Sequence, residues 1–233
     1  MNALFTPLKI KDINLKNRIG MAPMCQYSAV DGVMNDWHRN HLGARAMGGA
    51  ALIICEATAV SPDGRISPGC TGLWNEAQMQ AVAPINAFIE GLGAVPAIQI
   101  GHAGRKGSAH VPWNGGAHIP DDDPLGWPTV GPSSEPFDAD GTRLWKAPNE
   151  MSIADIEVMK EKFVAAAKRA LDAGYKILEL HAAHGYLQHS FLTPLVNTRS
   201  DAYGGDLHSR ARFLLETAEA IREVWPENLP LAT

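Results

Sequence analysis

Short apolar runs alternate with amphipathic stretches along this chain, and the alternation sets its elements. NRIGMAPM (17–24) predicts a strand, followed by a helix over 36–49. ALIICEATAV (51–60) reads as a buried strand, with a helix over 75–92 after the turn-like Asp63-Gly64. VPAIQIGHAG (95–104) is the third strand. The clearest helix spans 151–174, where Ile156, Met159, Phe163, Ala166, Ala167 and Ala170 keep the 3.6 period. Ser152 is its expected N-cap with Asp155 at N3, and Gly174 its expected C-cap. YKILELHAAHG (175–185) is the fourth strand, 208–225 a further amphipathic helix, and LPLAT (229–233) the start of a fifth strand. The leading LKIKDINLKNR suggests a small hairpin, either a plug for one mouth of a barrel or a simple leader strand.

Strands that look buried and alternate with helices predict a parallel sheet, doubly wound or closed into a barrel. No GxGxxG turn joins a strand to a helix, which weakens the dinucleotide-fold reading. Polar and unusual residues instead cluster at strand C-terminal ends: Pro23-Met24-Cys25, Glu56-Ala57, Gln99 to His102 and His181 to His184. Barrel active sites sit there. Residues 105–150, rich in Gly, Pro and Asp and carrying Trp113, Trp127 and Trp145, read as a long strand-to-helix loop able to cover part of such a site.

Composition narrows the class. The 233 residues are 45% hydrophobic and 19% charged, ordinary for an α/β domain. A net charge of -5 with no basic block argues against nucleic acid or an anionic membrane as partner. Cys25, Cys55 and Cys70 are too scattered for a disulfide framework, a zinc ribbon or an iron–sulfur cluster, and fit a reducing cytoplasm. The N-terminus has no signal-peptide pattern, and no apolar run reaches membrane-spanning length.

The sharpest chemical feature is His181-Ala182-Ala183-His184-Gly185-Tyr186. Two imidazoles three positions apart at a strand tip can donate two hydrogen bonds to one substrate oxygen, with the Tyr186 phenol as a third donor. A metal pair or structurally satisfied histidines are the alternatives, and a zinc site would need a third ligand. Cys25 is a nucleophile, a redox group or plain core. Gln99, amid Ala, Ile and Gly, bonds either neighbouring backbone or the edge of a uracil-like heterocycle. Glu56 and Glu179 are expected in ion pairs, with Arg18, Arg105 and Lys106 as partners. Arg199 to Gly205, with Arg210 and Arg212 nearby, reads as architecture, and Trp37, His38 and His41 as packing and surface groups.

The stretches LFTPLKIKDINLKNRIGMAPMCQYSA, NDWHRNHLGARAMGGAALIICEATAVSPDGRISPGCTGLWN, AIQIGHAGRK, ELHAAHGYLQHSFLTPLVNTRSDAYGG and RARFLLE resemble the NADH:flavin oxidoreductase, or old yellow enzyme, family, and look most like its bacterial xenobiotic reductase subclass. The resemblance runs from Leu4 to the end. It implies a TIM (β/α)8 barrel, bound FMN, NADPH or NADH as hydride donor, and hydride transfer from flavin to activated alkenes or nitro compounds. It further implies that Ala22, Pro23, Met24 and Cys25 line the flavin and that Cys25 tunes it. Ala57 would touch the isoalloxazine and Gln99 its pyrimidine edge. Tyr27 would contact substrate, His181 and His184 would hold its oxygen, and Tyr186 would supply a proton. A cytoplasmic homo-oligomer acting on a small molecule is implied too.

Three departures qualify it. The family's NRxRF helix opening reads Ser209-Arg210-Ala211-Arg212-Phe213 here, residues 107–150 are the least family-like, and the sequence given stops at Thr233, near the fifth strand. The family's flavin-stabilising arginine, strands six to eight and phosphate site would fall beyond that point. The expectation is therefore residues 1–233 as the N-terminal half to five-eighths of one barrel, binding FMN weakly or not at all alone. The competing readings are a fragment active only with a complementary half, and a metal-dependent barrel hydrolase using His181 and His184.

Overall fold

The structure is a computed structural model and describes residues 2–137 and 145–233; residues 138–144 of the predicted long loop lie outside the described residues. A hairpin, β1 (Leu8–Ile10) and β2 (Ile13–Leu15), precedes the main sheet. The sheet contains β3 (Gly20–Met21), β4 (Leu52–Ala59), β5 (Val95–Gly101), β8 (Ile177–Leu180) and β9 (Leu231–Ala232), all parallel and side by side in that order. A doubly wound sheet would reverse strand order at a switch point. Strict sequence order is that of a (β/α)8 barrel.

Helices α1 (Asp36–Met47), α2 (Glu76–Gly91), α3 (Ile153–Asp172) and α5 (Leu207–Val224) connect the strands, and a short α4 (Leu187–Leu192) follows β8. Within the long excursion after β5, β6 (Val130–Gly131) and β7 (Asn149–Glu150) pair in parallel.

Local chemistry accounts for the helix boundaries. Asn35, Asn75 and Ser152 each close a capping box at the starts of α1, α2 and α3. Each satisfies backbone donors that the first turn leaves orphaned. α3 ends at Ala173, and Gly174 follows at φ +88, a conformation an L side chain resists. All six predicted apolar positions of α3 are buried.

The main core lies between sheet and helices, where Ile53, Cys55, Ile98, Leu178 and Leu180 meet Phe163, Ile89, Phe213 and Trp225. A second cluster lies inside the sheet's curve, at its N-terminal end. Ile13 and Leu15 of the hairpin pack there against Ala51, Ala97 and Ile177. Of the two readings of the leader, the plug is the one observed.

The predicted strands 17–24 and 175–185 are shorter, at Gly20–Met21 and Ile177–Leu180. Only their first halves find ladder partners, and the remainder turns into the rim.

Candidate active site at the C-terminal rim of the sheet

The segment after β3, the bulge in β4 and the ends of β5 and β8 meet on one rim. The ladder runs Cys55↔Ile98 and then Thr58↔Ile100, so one extra residue is accommodated at Glu56-Ala57. Bulges re-aim side chains beside active sites. Close approach is built in as well: a Cβ on Gly101 would stand 3.0 Å from that of His181.

His181 and His184 face each other, with His181 Nε2 and His184 Nδ1 3.3 Å apart. The backbone N–H of Ala183 donates to His181 Nδ1 at 3.3 Å. That nitrogen is therefore an acceptor, and the neutral ring carries its proton on Nε2, aimed at His184. Burial, then the nearby His184, lowers the His181 pKa to about 4, so its ring is a neutral donor at ordinary pH.

His184 is held at φ +58, followed by Gly185 at φ +75, which turns the chain back over the rim. Lys106 Nζ donates to the His184 carbonyl at 2.8 Å and lies 4.5 and 5.3 Å from the ring centres of Phe137 and Tyr186. The Tyr186 ring is 4.8 Å from that of His181. Burial, with smaller contributions from Cys25, Tyr27 and Cys70, pushes its phenol well above the usual range, so the proton stays on.

On the facing segment, Ala22 and Met24 are exposed and Pro23, Cys25 and Tyr27 half-buried. The Met24 and Cys25 amides find no acceptor among the described residues. The Cys25 sulfur accepts from the Ala57 N–H and hydrogen-bonds the Cys70 thiol. Tyr27, at φ +52, packs edge-on against Trp113 of the long loop with ring centres 5.5 Å apart. Sequence reasoning missed Trp113 as a rim residue, because only the folded loop brings it to Tyr27.

Several predicted pairings are different. Gln99 Nε2 donates to Glu179 Oε1 at 2.7 Å, so its partner is a carboxylate on the adjacent strand and not backbone. Glu56 accepts the Gln26 N–H at 3.0 Å and faces His38 Nε2 at 3.5 Å. His38 is thus a buried partner of the rim, not a surface group. Arg18 donates to Thr6, Arg105 to the carbonyls of Glu135 and Pro136, and Lys106 to that of His184. Glu56 and Glu179 thus find side-chain partners nearer in the fold than those three cations. Arg199 is architectural as expected: it grips Asp201 and donates to the carbonyls of Pro132 and Met151. Among the described residues, no group of three His, Cys, Asp or Glu is arranged to hold a metal ion.

Comparison with known proteins agrees with this geometry. Residues 3–229 match the model of the NADH:flavin oxidoreductase / NADH oxidase family. The chain belongs to that family. It is 42% identical to an NADH:flavin oxidoreductase of Gibberella zeae over 230 residues, 98% of this chain and 55% of that protein. It is 44% identical to an NADPH dehydrogenase of Bacillus velezensis over 224 residues, 95% of this chain and 60% of that protein. Among solved structures, morphinone reductase superposes with a TM-score of 0.84 at 32% identity, over 98% of this chain and 61% of that one. An Old Yellow Enzyme from Pichia gives 0.84 at 28% identity, over 98% and 58%. The chain therefore spans a little over half the length of these relatives.

FMN and a nicotinamide nucleotide are the cofactors of this oxidoreductase family. The rim suits a flat heterocycle. Small residues Ala22 and Ala57 stand at its edge, the Met24 and Cys25 amides are unpaired donors, and the Gln99 carbonyl oxygen stays free when its NH2 binds Glu179. No described helix is long and apolar enough to cross a membrane.

Proposed function

We propose that this chain provides the flavin-facing rim and substrate grip of an FMN-dependent NAD(P)H oxidoreductase that reduces activated alkenes, such as α,β-unsaturated carbonyls, or nitro compounds. The observation that carries this reading is the facing pair His181 and His184, 3.3 Å apart at the strand tip. Reduced flavin supplies a hydride to the electron-poor carbon. The negative charge that develops on the substrate oxygen is then met by imidazole N–H groups. His181 donates from Nε2, and His184 joins it by shifting its own proton to Nδ1, a tautomer change that needs no net proton uptake. Donors aimed at charge that appears only in the transition state accelerate the step, not merely binding.

Tyr186, held protonated beside His181, is placed to deliver the proton that completes alkene reduction. Ala22 to Cys25, Ala57 and Gln99 hold the flavin in this reading, and Tyr27 with Trp113 borders the substrate. The substrate is thus a small molecule with one strong acceptor oxygen and a planar conjugated system.

The test is anaerobic stopped-flow reoxidation of reduced enzyme by 2-cyclohexenone. His181→Ala is expected to slow reoxidation about 100-fold, the usual cost of one missing oxyanion donor. Tyr186→Phe is expected to slow alkene but not quinone reduction. Reoxidation by cyclohexenone at the wild-type rate in His181→Ala would overturn the assignment.

A further inference from the structure

Cys25 and Cys70 reach the same point from different loops, one after β3 and one after β4. Two backbone contacts hold the loops together. The Ala29 N–H donates to the Gly69 carbonyl at 2.9 Å, and a Cβ on Gly69 would come within 2.4 Å of the Tyr27 carbonyl oxygen. Only glycine permits so close an approach. Next to these contacts the two thiols hydrogen-bond each other.

The pair is polarised. Cys70 receives the Cys25 S–H, and the backbone N–H of Ser67 points at its sulfur from 3.4 Å. Together these draw the Cys70 pKa below that of an ordinary thiol despite burial. Cys25 is the proton donor, and its own pKa is pushed well up, first by that hydrogen bond and then by burial. The Cys70 sulfur also borders a cavity of about 10 Å³ walled by Ala57, His102, His181 and Tyr186, room for one water-sized molecule. A low-pKa thiolate, a small access space and a second thiol in contact are the attributes of a resolving cysteine pair.

We infer that Cys25 and Cys70 form a peroxide-reactive dithiol that closes to a reversible disulfide at the edge of the active-site rim. The Cys70 thiolate attacks the O–O bond of a hydroperoxide; an S–O bond forms, the O–O bond breaks, and the alcohol (water for hydrogen peroxide) leaves. Cys25 sulfur then attacks the resulting sulfenic sulfur. The S–S bond forms, the S–O bond breaks, and the departing hydroxide leaves as water with the Cys25 proton. Two thiols lose two electrons in total and one hydroperoxide gains them. Closure requires the sulfurs to move from contact to about 2.05 Å, a shift that loop backbone can absorb.

The experiment is brief exposure of the purified protein to hydrogen peroxide, then alkylation under denaturing conditions, digestion and mass spectrometry. Free thiols are expected to fall from three to one, with a peptide pair joining Cys25 to Cys70 at a loss of two hydrogens, reversed by dithiothreitol. Cys55 is the internal control: burial pushes its pKa to about 12, and it should remain alkylatable. In Cys70→Ser, Cys25 should stay a free thiol at the same dose. Retention of all three thiols in the wild type, or conversion of Cys25 or Cys70 to sulfinic acid without a cross-link, would overturn the inference. The wild-type mass decides the matter even if Cys70→Ser fails to fold.

Discussion

A neutral imidazole buried at the rim makes folding sensitive to acid. His181 and His118 are both lowered to about 4 from 6.5, chiefly by burial. Between those values an unfolded chain takes up protons that the folded protein refuses. Their contribution is therefore full above about pH 6.5 and is lost as pH falls toward 4. Depressed carboxylates such as Asp63 and Asp201 add their loss below that window. Melting temperature measured from pH 7 to 4.5 should fall, and His118→Gln, which keeps an acceptor for the Lys146 N–H, should flatten the fall. Glu56 poses a different residue-scale question, because it is buried and serves both Gln26 and His38. Glu56→Ala leaves those donors unmet and should cost about 1–3 kcal/mol in urea unfolding, while Glu56→Gln keeps one acceptor and should cost less. The His181–His184 pair was legible in the sequence because three residues of local chain suffice to bring the rings together. The links from Glu56 to His38 and from Cys25 to Cys70 were not, since each joins separate strand–loop units whose meeting depends on the barrel.

At the scale of elements, α3 carries the most readable signal and a large share of the core. Phe163 is fully buried between sheet and helices, and Phe163→Ala should destabilise by about 3–5 kcal/mol in chemical denaturation. Ser152→Ala removes only a cap and should cost about 1 kcal/mol. The contrast tests whether tertiary packing outweighs local capping. Period and caps made α1, α2, α3 and α5 legible to within two residues. The short α4 left no such mark: its N-cap is Tyr186, whose side chain makes no capping bond, and it is stabilised by burying Leu187 and Phe191. β6 and β7 are likewise invisible locally, being two-residue strands paired across the long loop.

In the molecule as a whole, stability and chemistry occupy opposite ends of the sheet. The hairpin's Ile13 and Leu15 close the N-terminal end, and the histidines, thiols and glutamine sit at the other. Leu15→Ala should lower the melting temperature, by about 2–4 kcal/mol of stability, yet leave the rate of flavin reoxidation unchanged. Parallel order and rim position were legible because polar residues fell repeatedly at strand ends. The cover that Trp113 lays on Tyr27 was not, since the long loop has no period to read.

The left-handed backbone at Tyr27 and His184 carries one more consequence. Each conformation costs a non-glycine residue on the order of 1 kcal/mol, which only the surrounding rim holds in place. A population of variants selected for heat tolerance alone should therefore drift toward glycine or asparagine at both positions. Such descendants would be sturdier and would have traded away the aromatic wall and one of the two imidazoles.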